Sequence, residues 1–147
     1  MQVNVNSFAP VELAAWRGLL RAHAALVREL DAELEAEHGL SLSAYEVLLL
    51  LHEAPEGRLR MSELASSSLL SLSGMTRLVD RLVRAGLVER QRCNEDRRGF
   101  WARPTLAGSE LFAEARATHR CGVRNRFLSR LSEPELAGLA DVWARVA

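Results

Sequence analysis

The chain contains no lysine; all nineteen positions counted as Lys or Arg are arginine. Long apolar runs are also missing. Nothing approaches the ~20 consecutive apolar residues that a membrane-spanning helix needs, so no membrane partner is expected. The opening residues, MQVNVNSFAP, have neither the basic start nor the apolar stretch of a secretion signal, and the expected localisation is cytoplasmic. Cysteine is scarce. Cys93 and Cys121 stand alone with no CxxC spacing, which fits a reducing compartment better than a disulfide framework. Four histidines, His23, His38, His52 and His119, show no HExxH and no paired Cys/His spacing. No Ser-His-Asp arrangement or Gly-rich phosphate loop appears either, so neither metal, cofactor nor catalysis is expected.

What is present is an ordinary globular composition, 48% apolar and 26% charged over 147 residues, the size of one domain. A formal net charge of zero conceals an asymmetry. Residues 1–57 carry three arginines against nine acids, whereas residues 58–147 carry sixteen against ten. Most of the positive excess falls in residues 58–103, with ten arginines and five acids. Such a basic block is the electrostatic footprint of a phosphate-binding surface, although a solvated charged face gives the same count.

Periodicity divides the chain into a helical front, a compact middle and a helical tail. Leu13, Trp16, Leu20, His23, Val27, Leu30 and Leu34 recur at spacings of three and four, predicting an amphipathic helix from about Val11 to Glu37. Pro10 suits its first turn and Gly39 ends it. Ser43 with Glu46 reads as a capping box opening a helix through VLLLLHEA, stopped at Pro55 and Gly57. RLRM reads as extended and Ser62 as the cap of a short helix. Ser71 caps the next, whose stripe of Met75, Leu78, Val79 and Leu82 predicts one buried face. Its other face is polar: Ser73, Thr76, Arg77, Asp80 and Arg84. Asp80 is at helical spacing to pair with Arg77 or Arg84. Gly86 ends this helix, after which LVERQR and GFWAR read as two strands around CNEDRR. Thr105 caps a long helix to about Arg130, and a second capping box, Ser132 to Glu135, opens a helix to Val146.

Two short helices, the second polar and basic on one face, followed directly by a basic hairpin, make a winged helix-turn-helix. The second helix fits the major groove, where Ser, Thr and Arg reach base edges, and the wing lays arginines along the backbone or minor groove. The run RMSELASSSLLSLSGMTRLVDRLVRAGLVERQRCNEDRRGFWARPTLAG resembles the DNA-binding core of the MarR family: S-E-L-A, a turn, T-R-L-V-D-R-L, G-L-V-x-R, a D-x-R wing tip and T-x-x-G. The arginine-, alanine- and leucine-rich composition is similar to members from high-GC bacteria such as actinomycetes.

The resemblance implies a mainly α fold with a small β-wing: a single domain over 1–147, with a DNA-binding region at 41–104 flanked by dimerisation helices at 8–38 and 105–147. It implies that Ser71, Leu72, Ser73, Thr76 and Arg77, on the recognition helix, touch bases and phosphates of a double-stranded operator. Arg97 would enter the minor groove at the wing tip, Asp96 would brace the wing, Arg98 would serve phosphate or bracing, and Arg84 would add a phosphate contact. The sequence departs from the family pattern at Ser68 and Leu69 in the turn, at Gly74 in the first turn of the recognition helix, and at Pro104 in the second strand. A homodimer binding a pseudo-palindromic operator is implied, as is release by a small aromatic or phenolic anion. From helix position, Trp16, His23, Tyr45 and Leu49 would line that effector's pocket. Two other readings stand beside this one. A cysteine-based redox regulator would need Cys93 or Cys121, neither of them near the N-terminus where peroxide-sensing relatives carry theirs. A winged helix also serves protein contact in some complexes.

Overall fold

The computed structural model describes residues 7–68, 70–93 and 99–146. Six α-helices and three short strands follow in the order α1 (Pro10–His38), α2 (Leu42–Glu53), β1 (Leu59–Arg60), α3 (Met61–Ser66), α4 (Leu72–Arg84), β2 (Val88–Arg92), β3 (Phe100–Pro104), α5 (Leu106–Arg126) and α6 (Glu133–Val146). A single 3-10 turn, Leu128–Arg130, separates α5 from α6.

Helix α1 starts at Pro10, whose missing N–H costs nothing in a first turn, and the Glu12 carboxylate accepts the Ala9 N–H at 2.7 Å. It ends at Gly39. Only Leu30 and Leu34 of its stripe are buried. Its N-terminal half, with Trp16, Leu19 and Leu20, stays exposed. Helix α2 is capped by Ser41, not Ser43: the Ser41 hydroxyl accepts the Ala44 N–H at 3.2 Å. The cap moves two residues upstream because Asp31 on α1 accepts the Leu42 N–H at 2.8 Å, fixing the start of α2 against α1. Ser43 and Glu46 are thereby left inside the helix, on its exposed side. The cap of α3 also differs from expectation. Glu63 reaches back to the Arg60 N–H at 2.6 Å, so the helix begins at Met61 and Ser62 lies within it.

Helix α4 follows the sequence closely. Ser71 is extended and its hydroxyl accepts the Gly74 N–H at 3.2 Å, while Met75, Leu78, Val79 and Leu82 are all buried. A Cβ on Gly74 would stand 3.3 Å from that same hydroxyl, so the glycine leaves the cap room to close. Gly86, at φ 74°, makes the turn into β2, in the left-handed region that other residues adopt at a cost. The strands form an antiparallel sheet in the order β1-β3-β2. Pro104 pairs with Val88 at the very end of β3, where a residue without an N–H is tolerated.

The T-x-x-G stretch has a geometric reason. Thr105 donates its backbone N–H to the Leu87 carbonyl (3.1 Å) and its hydroxyl to the Gly86 carbonyl (2.6 Å), and its hydroxyl oxygen accepts the Gly108 N–H (3.0 Å). A Cβ on Gly108 would fall 1.9 Å from the Leu87 carbonyl oxygen, so only glycine fits where α5 crosses the strand. Helix α5 ends at Arg126 rather than Arg130, because Phe127 leaves helical geometry (φ −126°, ψ −64°) and the chain tightens into the 3-10 turn. Ser132 then donates its N–H (2.8 Å) and its hydroxyl (2.7 Å) to the Glu135 carboxylate at the start of α6.

One hydrophobic core joins the C-terminal half of α1, helices α2 to α5 and the sheet. Polar contacts tie α1 to α5 along their length. Arg126 pairs with Glu33 and, at 3.2 Å, with Glu29; nearer the end of α1, His38 Nε2 meets the Thr118 hydroxyl at 2.8 Å. No residue of α6 is buried.

Candidate nucleic-acid interface

The buried stripe of α4 pins that helix to the core and turns its other face to solvent. Ser71, Leu72, Ser73 and Arg77 are exposed and Thr76 is half-buried. The Ser71 oxygen accepts the Gly74 N–H, and its hydroxyl lies at hydrogen-bond distance, 3.2 Å, from that of Ser73. Thr76 donates its hydroxyl to the Leu72 carbonyl at 2.9 Å, which leaves its oxygen free to accept. Leu72 is 56% exposed at the first helical position. An apolar side chain there suits a thymine methyl, and an outward Arg77 suits guanine or phosphate.

Asp80 does not pair with Arg77 or Arg84. Its carboxylate meets Arg90 of β2 at 2.8 Å, joining the recognition helix to the wing, and Arg84 instead donates Nε to the Asp80 carbonyl at 3.3 Å. Arg84 therefore lies back along the last turn of α4. The reason is the register of the sheet. Val88, Arg90 and Arg92 share the face of β2 that also carries Ala102 and Leu59, and this face packs on α4, so Arg90 reaches Asp80 from across the interface. Asp96, Arg97 and Arg98 lie outside the described residues, as does Leu69.

On the opposite face of the sheet, Trp101 lies in register between Arg60 and Gln91. The guanidinium carbons of Arg58 and Arg60 stand 4.7 and 5.0 Å from its ring centroid. Arg58 is also held by Glu56, through Nε at 2.9 Å and Nη2 at 2.6 Å. Sequence reasoning missed this cluster. GFWAR reads as a strand, but the third strand, which brings Arg60 beside Trp101, is only two residues long and leaves no periodic signal.

The MarR family pattern matches residues 38–99, spanning α2 to the wing. The HTH-type transcriptional repressor YetL of Bacillus subtilis is 40% identical over 115 residues, covering 76% of this chain and 69% of that protein. The chain belongs to the MarR family. Among solved structures, the MarR family regulator AbsC from Streptomyces coelicolor superposes with a TM-score of 0.91 at 31% identity, over 97% of this chain and 95% of that one. Sco3205, a MarR family regulator of the same organism solved in complex with DNA, gives 0.90 at 31% identity, over 95% and 91%. Since Bacillus and Streptomyces proteins both appear among these relatives, the similarity does not single out actinomycetes. This MarR-family protein is thus a winged helix-turn-helix transcriptional regulator, mostly helical with a small three-stranded wing.

The four residues expected to line an effector pocket do not converge. Trp16 is 53% exposed on the free half of α1. Tyr45 is buried on the other side of α2, stacked on Phe112 (5.5 Å between centroids) and His119 (4.5 Å). Helical position alone cannot separate the two sides of α2, because its apolar residues run almost all round it. His23 does border a hollow of about 200 Å³ with Val27, Leu42, Glu46, Leu50 and Met75, and Leu49 lines the adjoining cleft. Burial pushes the Glu46 carboxyl up from its usual value, with His23 acting against it. Burial likewise pushes Tyr45 up and His119 down.

Among the described residues no group of three or more His, Cys, Asp or Glu is placed to hold a metal. Cys93 is buried at the end of β2, and Cys121 is exposed on α5, where Asn125 donates to its sulfur at 3.3 Å. No described helix is long and apolar enough to cross a membrane.

Proposed function

We propose that this protein is a homodimeric, ligand-responsive cytoplasmic repressor that reads a pseudo-palindromic operator with α4 and grips the adjacent backbone with its wing. The observation that carries this reading is the outer face of α4. Ser71, Leu72, Ser73, Thr76 and Arg77 form a continuous surface of hydroxyl, methyl and guanidinium groups on a helix whose other side is locked in the core. Arg97 is assigned to the minor groove, with Asp96 bracing it; Arg98 and Arg84 serve phosphates. The relative Sco3205 was solved with DNA, which supports the same use of this fold.

The domain plan follows. Residues 41–104 read DNA, and the helical segments 8–38 and 105–147 join two copies within a single domain of 1–147. Exposed Phe8, Val11, Trp16 and Leu20 on one side, and Trp143 and Val146 on the other, need cover that one chain does not supply. Two-fold pairing sets the half-sites one helical turn apart, ~34–36 Å. A small effector between α1 and the winged unit shifts the population toward a spacing that no longer fits.

A hydroxyl-radical footprint on the DNA immediately upstream of the protein's own gene tests this. Two protected half-sites of related sequence, one turn apart on the same face, are expected. Protection that is continuous and insensitive to sequence would refute the operator reading and favour a winged helix used for another partner.

A further inference from the structure

The hollow between α1, α2 and the turn before α4 has an uneven chemistry. Its floor is Met75, fully buried on the inner face of the recognition helix, and its walls are Val27, Leu42, Val47 and Leu50. The ionisable groups on it are His23 and Asp31 from α1 and Glu46 from α2, while the turn before α4 contributes Ser68 and Leu70. No arginine among the described residues lines it. Asp31 is already engaged, its carboxylate accepting the Leu42 N–H. Glu46 enters no ion pair among the described residues. It stands at the rim and also borders the neighbouring cleft of about 390 Å³ formed with Leu49, Leu50 and Ser66 to Ser68. One carboxylate thus sits between two largely apolar lobes.

We infer that this hollow binds a small organic ammonium ion, with the cationic nitrogen on Glu46 and the apolar body against Val47, Leu50 and Met75. The inference rests on the ligand-responsive reading above and gives that ligand its charge, in place of the anion that family resemblance implies. A carboxylate or phenolate here would face two acidic side chains with only the His23 imidazole to oppose them, whereas a cation meets a partly desolvated carboxylate that only His23 offsets. The same physics fixes a proton signature. Partial burial raises the Glu46 carboxyl above its usual range, so a cation arriving beside it favours the ionised form and drives a proton off wherever the group is part-protonated. The route to DNA is short. Met75 belongs to α4, and Ser68 and Leu70 to the turn that leads into it, so a ligand wedged against α1 prefers one disposition of α4 over another.

The experiment is calorimetry on the full-length chain with three probes of one shape and different charge: 2-phenylethylammonium, 2-phenylethanol and 3-phenylpropionate. Wild type is compared with Glu46→Gln and Glu46→Arg, and release of labelled upstream DNA is followed in parallel. The ammonium should bind at least tenfold more tightly than the alcohol and release the DNA. Glu46→Gln should lose at least tenfold in ammonium affinity while keeping DNA binding, and Glu46→Arg should reverse the preference toward the carboxylate. A carboxylate that binds wild type as well as the ammonium, no binding by any probe, or unchanged ammonium affinity in both variants would overturn the inference. So would ammonium binding that leaves the DNA in place. Failure of wild type to bind the DNA at all would instead sink the regulator reading, while the order of the three affinities still decides the charge of the site.

Discussion

His119 shows how a single residue couples α5 to the winged unit and to pH. Its imidazole stacks on buried Tyr45, 4.5 Å between centroids, and burial lowers its pKa below the ordinary 6.5. A histidine lowered in the folded state contributes stability that is fully present above the unfolded value and is lost as pH falls toward the folded one. Thermal melts over about pH 5 to 8 should therefore show the wild type losing stability on the acid side of about 6.5, and His119→Gln should flatten that limb. Identical pH profiles for the two proteins would mean that the ring is already solvated. The residue scale also holds what the sequence did not reveal. Ser41 and Ser43 are equally good cap types, and the choice was made by Asp31, eleven residues before the bond it accepts. The partner of Asp80 was equally hidden, since Arg77 and Arg84 have the right local spacing and Arg90 wins only once the sheet has folded against the helix.

Individual elements were far more legible. The stripe of Met75, Leu78, Val79 and Leu82 defined α4 and its outward face, because burial on a 3.6-residue period repeats along the sequence whatever the neighbours are. The two wing strands were legible from alternation between Gly86 and Thr105, but β1 was reduced to a hint, since two residues hold no period. The effector residues had the least local signal: α2 is apolar almost all round, so its sequence does not say which of its residues meets α5 and which meets α1. At this scale the Asp80–Arg90 pair sets the angle between reading helix and wing. Both side chains are partly exposed, so the pair adds only about 0–1 kcal/mol to stability. Its larger effect is positional. Asp80→Asn should leave the melting temperature within a few degrees of wild type yet weaken operator binding about tenfold, or about 1.4 kcal/mol, by anisotropy titration. A loss of affinity matched by an equal loss on unrelated DNA would show that the pair steers charge rather than geometry.

Across the whole molecule, the free half of α1 and all of α6 define what is missing from one chain. Trp143 is 39% exposed on a helix with no buried residue, and Trp16, Leu19 and Leu20 lie bare on α1. The α1 face was legible as an amphipathic stripe, whereas what covers these faces is set by a second chain rather than by local pattern. Replacing Trp143 by Glu should shift the protein from dimer toward monomer in light scattering and reduce operator affinity by at least about 1.4 kcal/mol, tenfold, since a lone winged unit holds only one half-site. An unaltered dimer carrying that substitution would place the pairing surface elsewhere.

The most direct test of α4 as the base-reading element is the ratio of affinities for upstream operator DNA and a scrambled duplex, measured across salt for wild type and Arg77→Ala. The wild type should favour the operator by about 10³ or more, with log affinity falling linearly against log salt. Arg77→Ala should cut that ratio by about 1–3 kcal/mol in free-energy terms. A wild-type ratio near one, or a ratio that Arg77→Ala leaves unchanged, would contradict the assignment of this face to base recognition.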